Sequence, residues 1–119
     1  MKVSDLEGKD LDYWVAKAQG WEEQYIGYND DGVAVWVSQQ PVYKEFVEDY
    51  TPSTNSGQCF DLMKLDSFRW VESLRGEYSA MFNQLDKTVV VTCGPTLNIA
   101  ICRAFVASVY GDEVSDEQL

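Results

Sequence analysis

"VVVTCGPTLNIAICRAFVASVYGDEV", from Val89 to Val114, carries the strongest fold signals in the chain. Its beginning is short, β-branched and apolar on both faces, which predicts a buried strand. Apolar residues then recur at helical spacing from Leu97 to Val109, and Gly111 follows at a position where glycine commonly ends a helix. The stretch therefore predicts a strand, a sharp turn and an amphipathic helix.

The turn itself, Gly94-Pro95-Thr96, admits two interpretations. Backbone N–H groups at a helix N-terminus can hold an anion, and the Thr96 hydroxyl could add a donor. However, Pro95 lacks an N–H group and suits the first turn of the helix, and no GK[ST] sequence follows. We favour the second interpretation, a turn whose threonine caps the helix.

The N-terminal part of the chain predicts a helix followed by a hairpin. Apolar residues share one helical face from about Lys9 to Gln19, and Gly20 would end that helix. The alternating residues of Val33–Val37 follow the turn-forming sequence Asn29–Gly32, which predicts a β-hairpin. Pro41 would close the second strand because proline cannot donate to a ladder.

The middle of the chain is harder to interpret. Small polar and turn-forming residues predict an irregular loop over Tyr50–Gly57, and "FDLMKLD" after it could form a short helix. "FRWVESL" and "EYSAMF" alternate and are joined by Arg75-Gly76, which predicts two paired strands. The apolar residues of Val71–Phe82 also fit helical spacing. We favour the strands.

The order of elements predicts an α+β fold. We expect an antiparallel or mixed sheet of about 4–5 strands, with an N-terminal and a C-terminal helix packed on one face. With 119 residues, of which 45% are hydrophobic, the chain is expected to form a single domain over residues 1–119. Residues 112–119 would be a frayed acidic tail.

The charge balance restricts the partners. A formal net charge of −11 disfavours direct binding to nucleic acid or to anionic membranes, which relies on Lys and Arg. Acidity can simply maintain solubility, which we favour, or it can mimic DNA and bind a protein that normally binds DNA. No apolar run approaches the roughly 20 residues of a membrane span, and the N-terminus lacks a signal-like apolar segment, so a cytoplasmic location is expected.

The residue types present offer little for catalysis. The chain has no histidine, so it lacks the commonest general base and transition-metal ligand. Cys59, Cys93 and Cys102 are widely spaced, and we expect the latter two to be buried thiols. The carboxylates of Asp5–Asp12 would complement a helix dipole, and they lack a calcium-loop pattern. We predict no catalytic residue, metal site or cofactor.

One possible ligand pocket can be predicted. It would join the loop after Tyr50, the Gly94 turn and Arg103, because an arginine on an apolar helix can bind a carboxylate or phosphate with its two-pronged guanidinium. The alternatives are that the loop residues only cap backbone groups and that Arg103 forms an ion pair, which we favour. The candidate ligand-binding residues are Pro52, Ser53, Thr54, Asn55, Gly94, Thr96 and Arg103. Trp36 and Trp70 could also be exposed and pair two subunits as a homodimer, or they could line a second small cluster beneath a loop.

Three blocks resemble the phage NinX-like family, small proteins of tailed phages and prophages: "LDYWVAKAQGW", "DYTPSTNSGQC" and "GPTLNIAICRAFVASVYGDEV". The matching residues are Leu11, Asp12, Val15, Ala16, Lys17, Ala18 and Gly20 in the first block, Pro52, Ser53, Thr54 and Asn55 in the second, and Gly94, Thr96, Leu97, Ile99, Ala100, Arg103, Val106, Ala107, Ser108, Gly111, Asp112, Glu113 and Val114 in the third. The resemblance implies a phage origin and no catalytic activity. We therefore expect a phage accessory protein that binds a host protein or a small anionic ligand. The alternatives are an acidic DNA mimic that inhibits a host DNA-binding enzyme, an enzyme, and a structural component of the virion.

Overall fold

The computed structural model describes residues 1–29, 32–36, 47–84 and 89–114. Within these residues there are three α-helices: α1 (Gly8–Ala18), α2 (Ser56–Leu62) and α3 (Leu97–Tyr110). The six strands are β1 (Ile26–Asn29), β2 (Gly32–Trp36), β3 (Val47–Asp49), β4 (Phe68–Leu74), β5 (Glu77–Asn83) and β6 (Val89–Gly94). The predicted α+β class is confirmed.

The strands form two antiparallel sheets of three strands, in the orders β1-β2-β3 and β4-β5-β6. This differs from the single sheet that we expected. The division has a local cause, because the chain between β3 and β4 contains Pro52 and then turns into α2. Proline cannot donate to a ladder, and the helix carries the chain away from the first sheet before β4 begins.

The helix α1 agrees with its prediction to within one residue at each end. It ends in a Schellman motif, in which Gly20 has a φ of 106° and donates to the Lys17 carbonyl at 3.0 Å. The Trp21 N–H group donates to the Ala16 carbonyl at 3.2 Å. Glycine is favoured here because a side chain is strained at that φ.

The helix α3 occupies the centre of the fold. All eight residues of Ala100–Ala107 are buried, which is more than one amphipathic face of a helix. The helix packs against β5 and β6 of the second sheet and also against α1 and α2, whereas α1 covers β1 and β2 of the first sheet. The two main helices therefore pack on each other, and each also covers its own sheet.

The hairpin between β4 and β5 confirms the strands that we favoured in the middle of the chain. Leu74 pairs with Glu77, so Arg75 and Gly76 form a two-residue turn. Both have positive φ, 54° and 83°, as a type I′ turn requires. Trp70 on β4 is 37% exposed, in agreement with its expected exposure. The side chain of Trp36 and the residue Pro41 lie outside the described part of the chain.

Two boundaries differ from those expected. Ser56 and Gly57 belong to α2 rather than to the preceding loop, because Asn55 caps that helix. Residues 112–114, which we assigned to a frayed tail, pair with the N-terminal segment. Val114 donates its N–H group to the Met1 carbonyl at 2.9 Å, and the Met1 amino group donates to the Val114 carbonyl at 3.0 Å. The rest of the tail, residues 115–119, lies outside the described residues.

Candidate functional site

A groove of about 930 Å³ opens between β6, α3 and the paired terminal segments. Its volume falls within the range of small-molecule sites, about 300–1,000 Å³. Strand β6 and the turn after it form one wall, α3 contributes Arg103 and Ala107, and the terminal segments form the opposite side. The lining residues are Lys2, Val3, Ser4, Gly76, Glu77, Val91, Thr92, Cys93, Gly94, Pro95, Arg103, Ala107, Asp112 and Glu113.

Arg103 is the most buried charged side chain of this groove, with 9% of its surface exposed. Its Nε donates to the Leu6 carbonyl at 2.8 Å, and its Nη1 donates to the Cys93 carbonyl at 3.0 Å. Its third nitrogen, Nη2, has no hydrogen-bond acceptor among the described residues. We favoured an ion pair for Arg103, but no carboxylate among the described residues pairs with the guanidinium. Its acceptors there are backbone carbonyls.

Gly94 ends β6 where the first turn of α3 approaches most closely. A Cβ atom at this position would lie 2.8 Å from the Ala100 backbone nitrogen and 2.9 Å from the Ile99 Cγ2 atom. The glycine is needed for this close approach and not for an unusual φ. Gly94 and Pro95 also line the groove, so the junction contributes to its shape.

Thr96 is the N-cap of α3, and its Oγ1 accepts a hydrogen bond from the Ile99 N–H group at 3.2 Å. The favoured interpretation of the turn, a capping threonine, is thus confirmed. We had expected Pro95 to lie in the first helical turn, but it precedes the cap. Thr96 does not line the groove.

Removing this cap should have a measurable effect on stability. We expect Thr96→Ala to lower the free energy of unfolding by about 1 kcal/mol, since one N–H group of the helix loses its acceptor. Thr96→Ser keeps the hydroxyl oxygen and serves as the control. Urea unfolding monitored by circular dichroism measures the difference, and equal losses in both variants would contradict the capping role.

The loop Pro52–Asn55 contributes no residue to the lining of this groove. Its polar groups serve the backbone: Asn55 Oδ1 accepts from the Gln58 N–H group at 3.0 Å, and the Thr54 hydroxyl donates to the Thr51 carbonyl at 3.4 Å. The structure thus brings together Gly94 and Arg103 among the candidate residues. It does not bring the loop or Thr96 to the same groove.

The loop is held instead by a buried carboxylate that the sequence analysis missed. Asp12 on α1 is 3% exposed, and its Oδ1 accepts a hydrogen bond from the Ser53 N–H group at 2.8 Å. Burial raises the pKa of Asp12 to about 6, and the hydrogen bond from the Ser53 N–H group only partly opposes this rise. The signal was present in the sequence, because Val15 and Ala16 follow Asp12 at helical spacing and place it on a buried face.

The cysteines divide between the core and the groove. Cys59 and Cys102 are both fully buried, and Cys59 Sγ lies 3.7 Å from the Asn98 carbonyl oxygen. Burial raises the pKa of the Cys102 thiol, and the neighbouring Cys59 thiol raises it further. The expectation that Cys93 is buried was wrong. Residues on β6 alternate in exposure, and Cys93 is exposed on the same face as Val89 and Val91.

The chemistry of the groove is that of a binding site with mixed charge. Lys2 and Arg103 supply positive charge, and three carboxylates, those of Glu77, Asp112 and Glu113, supply negative charge. Within the described ranges, no group of three or more acidic or cysteine side chains is arranged to hold a metal ion. None of the helices found there is long and apolar enough to cross a membrane.

A family model described as bacteriophage P22 NinX matches residues 2–109. The match spans nearly the whole chain, including α1, both sheets and almost all of α3. It therefore also covers the region between the loop and β6, which the three resembling blocks leave out. No curated protein matches the chain significantly.

Proposed function

Because the chain belongs to the bacteriophage P22 NinX family, we propose that it is a phage accessory protein that acts in the bacterial cytoplasm by binding, without catalysis. Its ligand is a host protein or a small molecule that presents an anionic group. The groove around Arg103 holds that group. The observation that carries this proposal is a buried guanidinium beside the groove, with one nitrogen that lacks an acceptor among the described residues.

The surroundings of Arg103 support the role of an anchor. Hydrogen bonds to the Leu6 and Cys93 carbonyls fix its side chain, so little conformational entropy remains to be lost on binding. A guanidinium keeps its charge when it is buried, and its planar fork suits carboxylate and phosphate oxygens. Lys2 lines the same groove and can add a second positive charge.

The acidic alternative, a DNA mimic, has less support. It predicts rows of free carboxylates on one face, whereas two carboxylates of the described residues form ion pairs with lysines. Glu23 lies 3.3 Å from Lys17, and Asp61 lies 3.2 Å from Lys64. The groove also mixes both signs of charge, which a DNA-like surface would not require.

The proposal can be tested by titrating the protein with inorganic phosphate and with acetate while following the amide resonances of Cys93 and Gly94 by NMR. We expect saturable shifts at these two amides. Arg103→Lys should abolish the shifts. A single ammonium group cannot donate to the Leu6 and Cys93 carbonyls and also bind the anion in the geometry of a guanidinium.

Two further variants make the outcome interpretable. Lys2→Gln, an exposed change at the groove, should weaken binding without altering thermal stability. Lys64→Gln removes an exposed lysine that pairs with Asp61 and does not line the groove, so it should leave binding unchanged. Absence of shifts in the unmodified protein with both anions, or equal shifts in Arg103→Lys, would refute the proposed role of the groove.

A further inference from the structure

We propose that the anionic group bound in this groove is the free carboxylate of an extended peptide, which adds as a strand to the outer edge of β6. The inference rests on the proposed function and narrows its ligand to the C-terminal segment of a partner protein. Peptides of this kind combine backbone hydrogen bonds to a sheet edge with capture of the terminal carboxylate.

The outer edge of β6 is available to such a peptide. In the described residues β6 pairs on one side only, with β5, and is the last strand of its sheet. Its residues are β-branched and apolar, and Val89 and Val91 remain 57% and 48% exposed. An edge of this composition is a template for pairing with another strand unless it is covered.

The groove borders the C-terminal part of β6. Its lining includes every residue of β6 from Val91 to Gly94, with Arg103 and Ala107 of α3 beside them and the segment Lys2–Ser4 opposite. A strand added to β6 would therefore lie beside α3, between the sheet and the terminal segments.

Arg103 marks where the added strand must end. The Cys93 carbonyl already accepts from Arg103 Nη1, so a ladder that continued past this point would have to share that acceptor with the guanidinium. A peptide paired along β6 up to this point meets the guanidinium directly. A carboxylate at the C-terminus of the peptide suits this position, because it can accept hydrogen bonds from Nη2 of Arg103.

The remaining charges of the groove favour a peptide over a simple anion. Glu77, Asp112 and Glu113 line it together with Lys2 and Arg103, so a simple anion should bind more weakly than a ligand that also carries positive charge. A peptide can place lysine or arginine side chains near these carboxylates while its terminus reaches Arg103. The net charge of the chain, −11, also favours a basic partner.

The test is a selection from a library of random peptides displayed with free C-termini, followed by fluorescence titration of an enriched peptide. We expect basic residues to be enriched close to the terminus. The same peptide as a carboxamide should bind about tenfold more weakly or not at all, because the charge that Arg103 recognises is removed. N-methylation of alternate backbone nitrogens should abolish binding, because it removes the strand's donors without any change in the protein.

The outcomes separate this inference from the proposed function. Binding of the free acid, with loss on amidation, on N-methylation and in Arg103→Lys, supports both. Phosphate or acetate binding without any enriched peptide overturns the peptide inference and leaves the proposed function standing. Equal binding of acid and amide overturns carboxylate capture, and the absence of binding to every probe overturns both proposals.

Discussion

Replacing Gly94 by alanine is expected to lower the free energy of unfolding by about 2–3 kcal/mol, one of the largest effects of any single methyl group in this chain. The added Cβ would lie 2.8 Å from the Ala100 backbone nitrogen, within the first turn of α3. The obstructing atom belongs to the backbone, so no side chain can rotate away. Either β6 or the start of α3 must move.

Gly57→Ala is the matched control. Its Cβ would meet only the Asn55 Oδ1 atom, at an ordinary 3.4 Å, and the residue is exposed in α2. Alanine in a helix is more favourable than glycine by up to about 1 kcal/mol, so this variant should be as stable as the unmodified protein or slightly more so. Thermal and urea unfolding of both variants measure the contrast. A Gly94→Ala protein of unchanged stability would mean that β6 and α3 are not packed this closely.

The second large effect concerns pH. Burial raises the pKa of Asp12 from 3.8 to about 6. Between these two pH values the folded protein therefore retains a proton that the unfolded chain has already released. The contribution of Asp12 to the free energy of unfolding is therefore greatest below about pH 4, and it is lost as the pH rises through about 6. The expected loss is about 2–3 kcal/mol, at about 1.4 kcal/mol per pKa unit.

Asp12→Asn should remove this pH dependence. The amide oxygen can still accept from the Ser53 N–H group, and the amide N–H can donate to Ser53 Oγ, which has no partner in the described structure. The variant should gain about 2–3 kcal/mol relative to the unmodified protein between about pH 4 and 7. Urea unfolding across this range gives the comparison.

Asp5→Asn, an exposed carboxylate of the same N-terminal segment, is the control and should follow the unmodified protein. If the pH profile of Asp12→Asn runs parallel to that of the unmodified protein, Asp12 is not the buried titrating group. Asp12→Ala should be less stable than Asp12→Asn at every pH, because the buried Ser53 N–H group then loses its acceptor.

The elements with local signals could be predicted from the sequence. The β-branched run of β6, the apolar spacing of α3 and the glycine after α1 each act within a few residues, so the strand and the two helices form where we expected them. The expected burial of β6 was wrong, because β6 is the last strand of its sheet in the described residues, and Val89 and Val91 are exposed. The strands β4 and β5 were ambiguous, because the apolar residues of Val71–Phe82 fit both periods. The Arg75-Gly76 sequence favours a two-residue turn, and the strands that we preferred on this basis are confirmed.

The features that depend on distant contacts could not be predicted. The acceptors of Arg103 are backbone carbonyls, one of them on Leu6, 97 residues away in sequence, and a carbonyl carries no residue-specific signal. The pairing of Val114 with Met1, which builds one side of the groove, is equally remote in sequence. For the same reason we predicted the loop Pro52–Asn55 beside the Gly94 turn, whereas its Ser53 N–H group donates to Asp12 on α1.

The most direct test of the central claim, that Arg103 holds a ligand in the groove beside β6, is native mass spectrometry of the protein purified gently from its infected bacterial host. Arg103→Lys and Lys64→Gln would be purified in parallel. The account predicts a bound species on the unmodified protein and on Lys64→Gln, and a bare chain for Arg103→Lys. A bare chain in all three samples, or a species that Arg103→Lys retains equally, would contradict it.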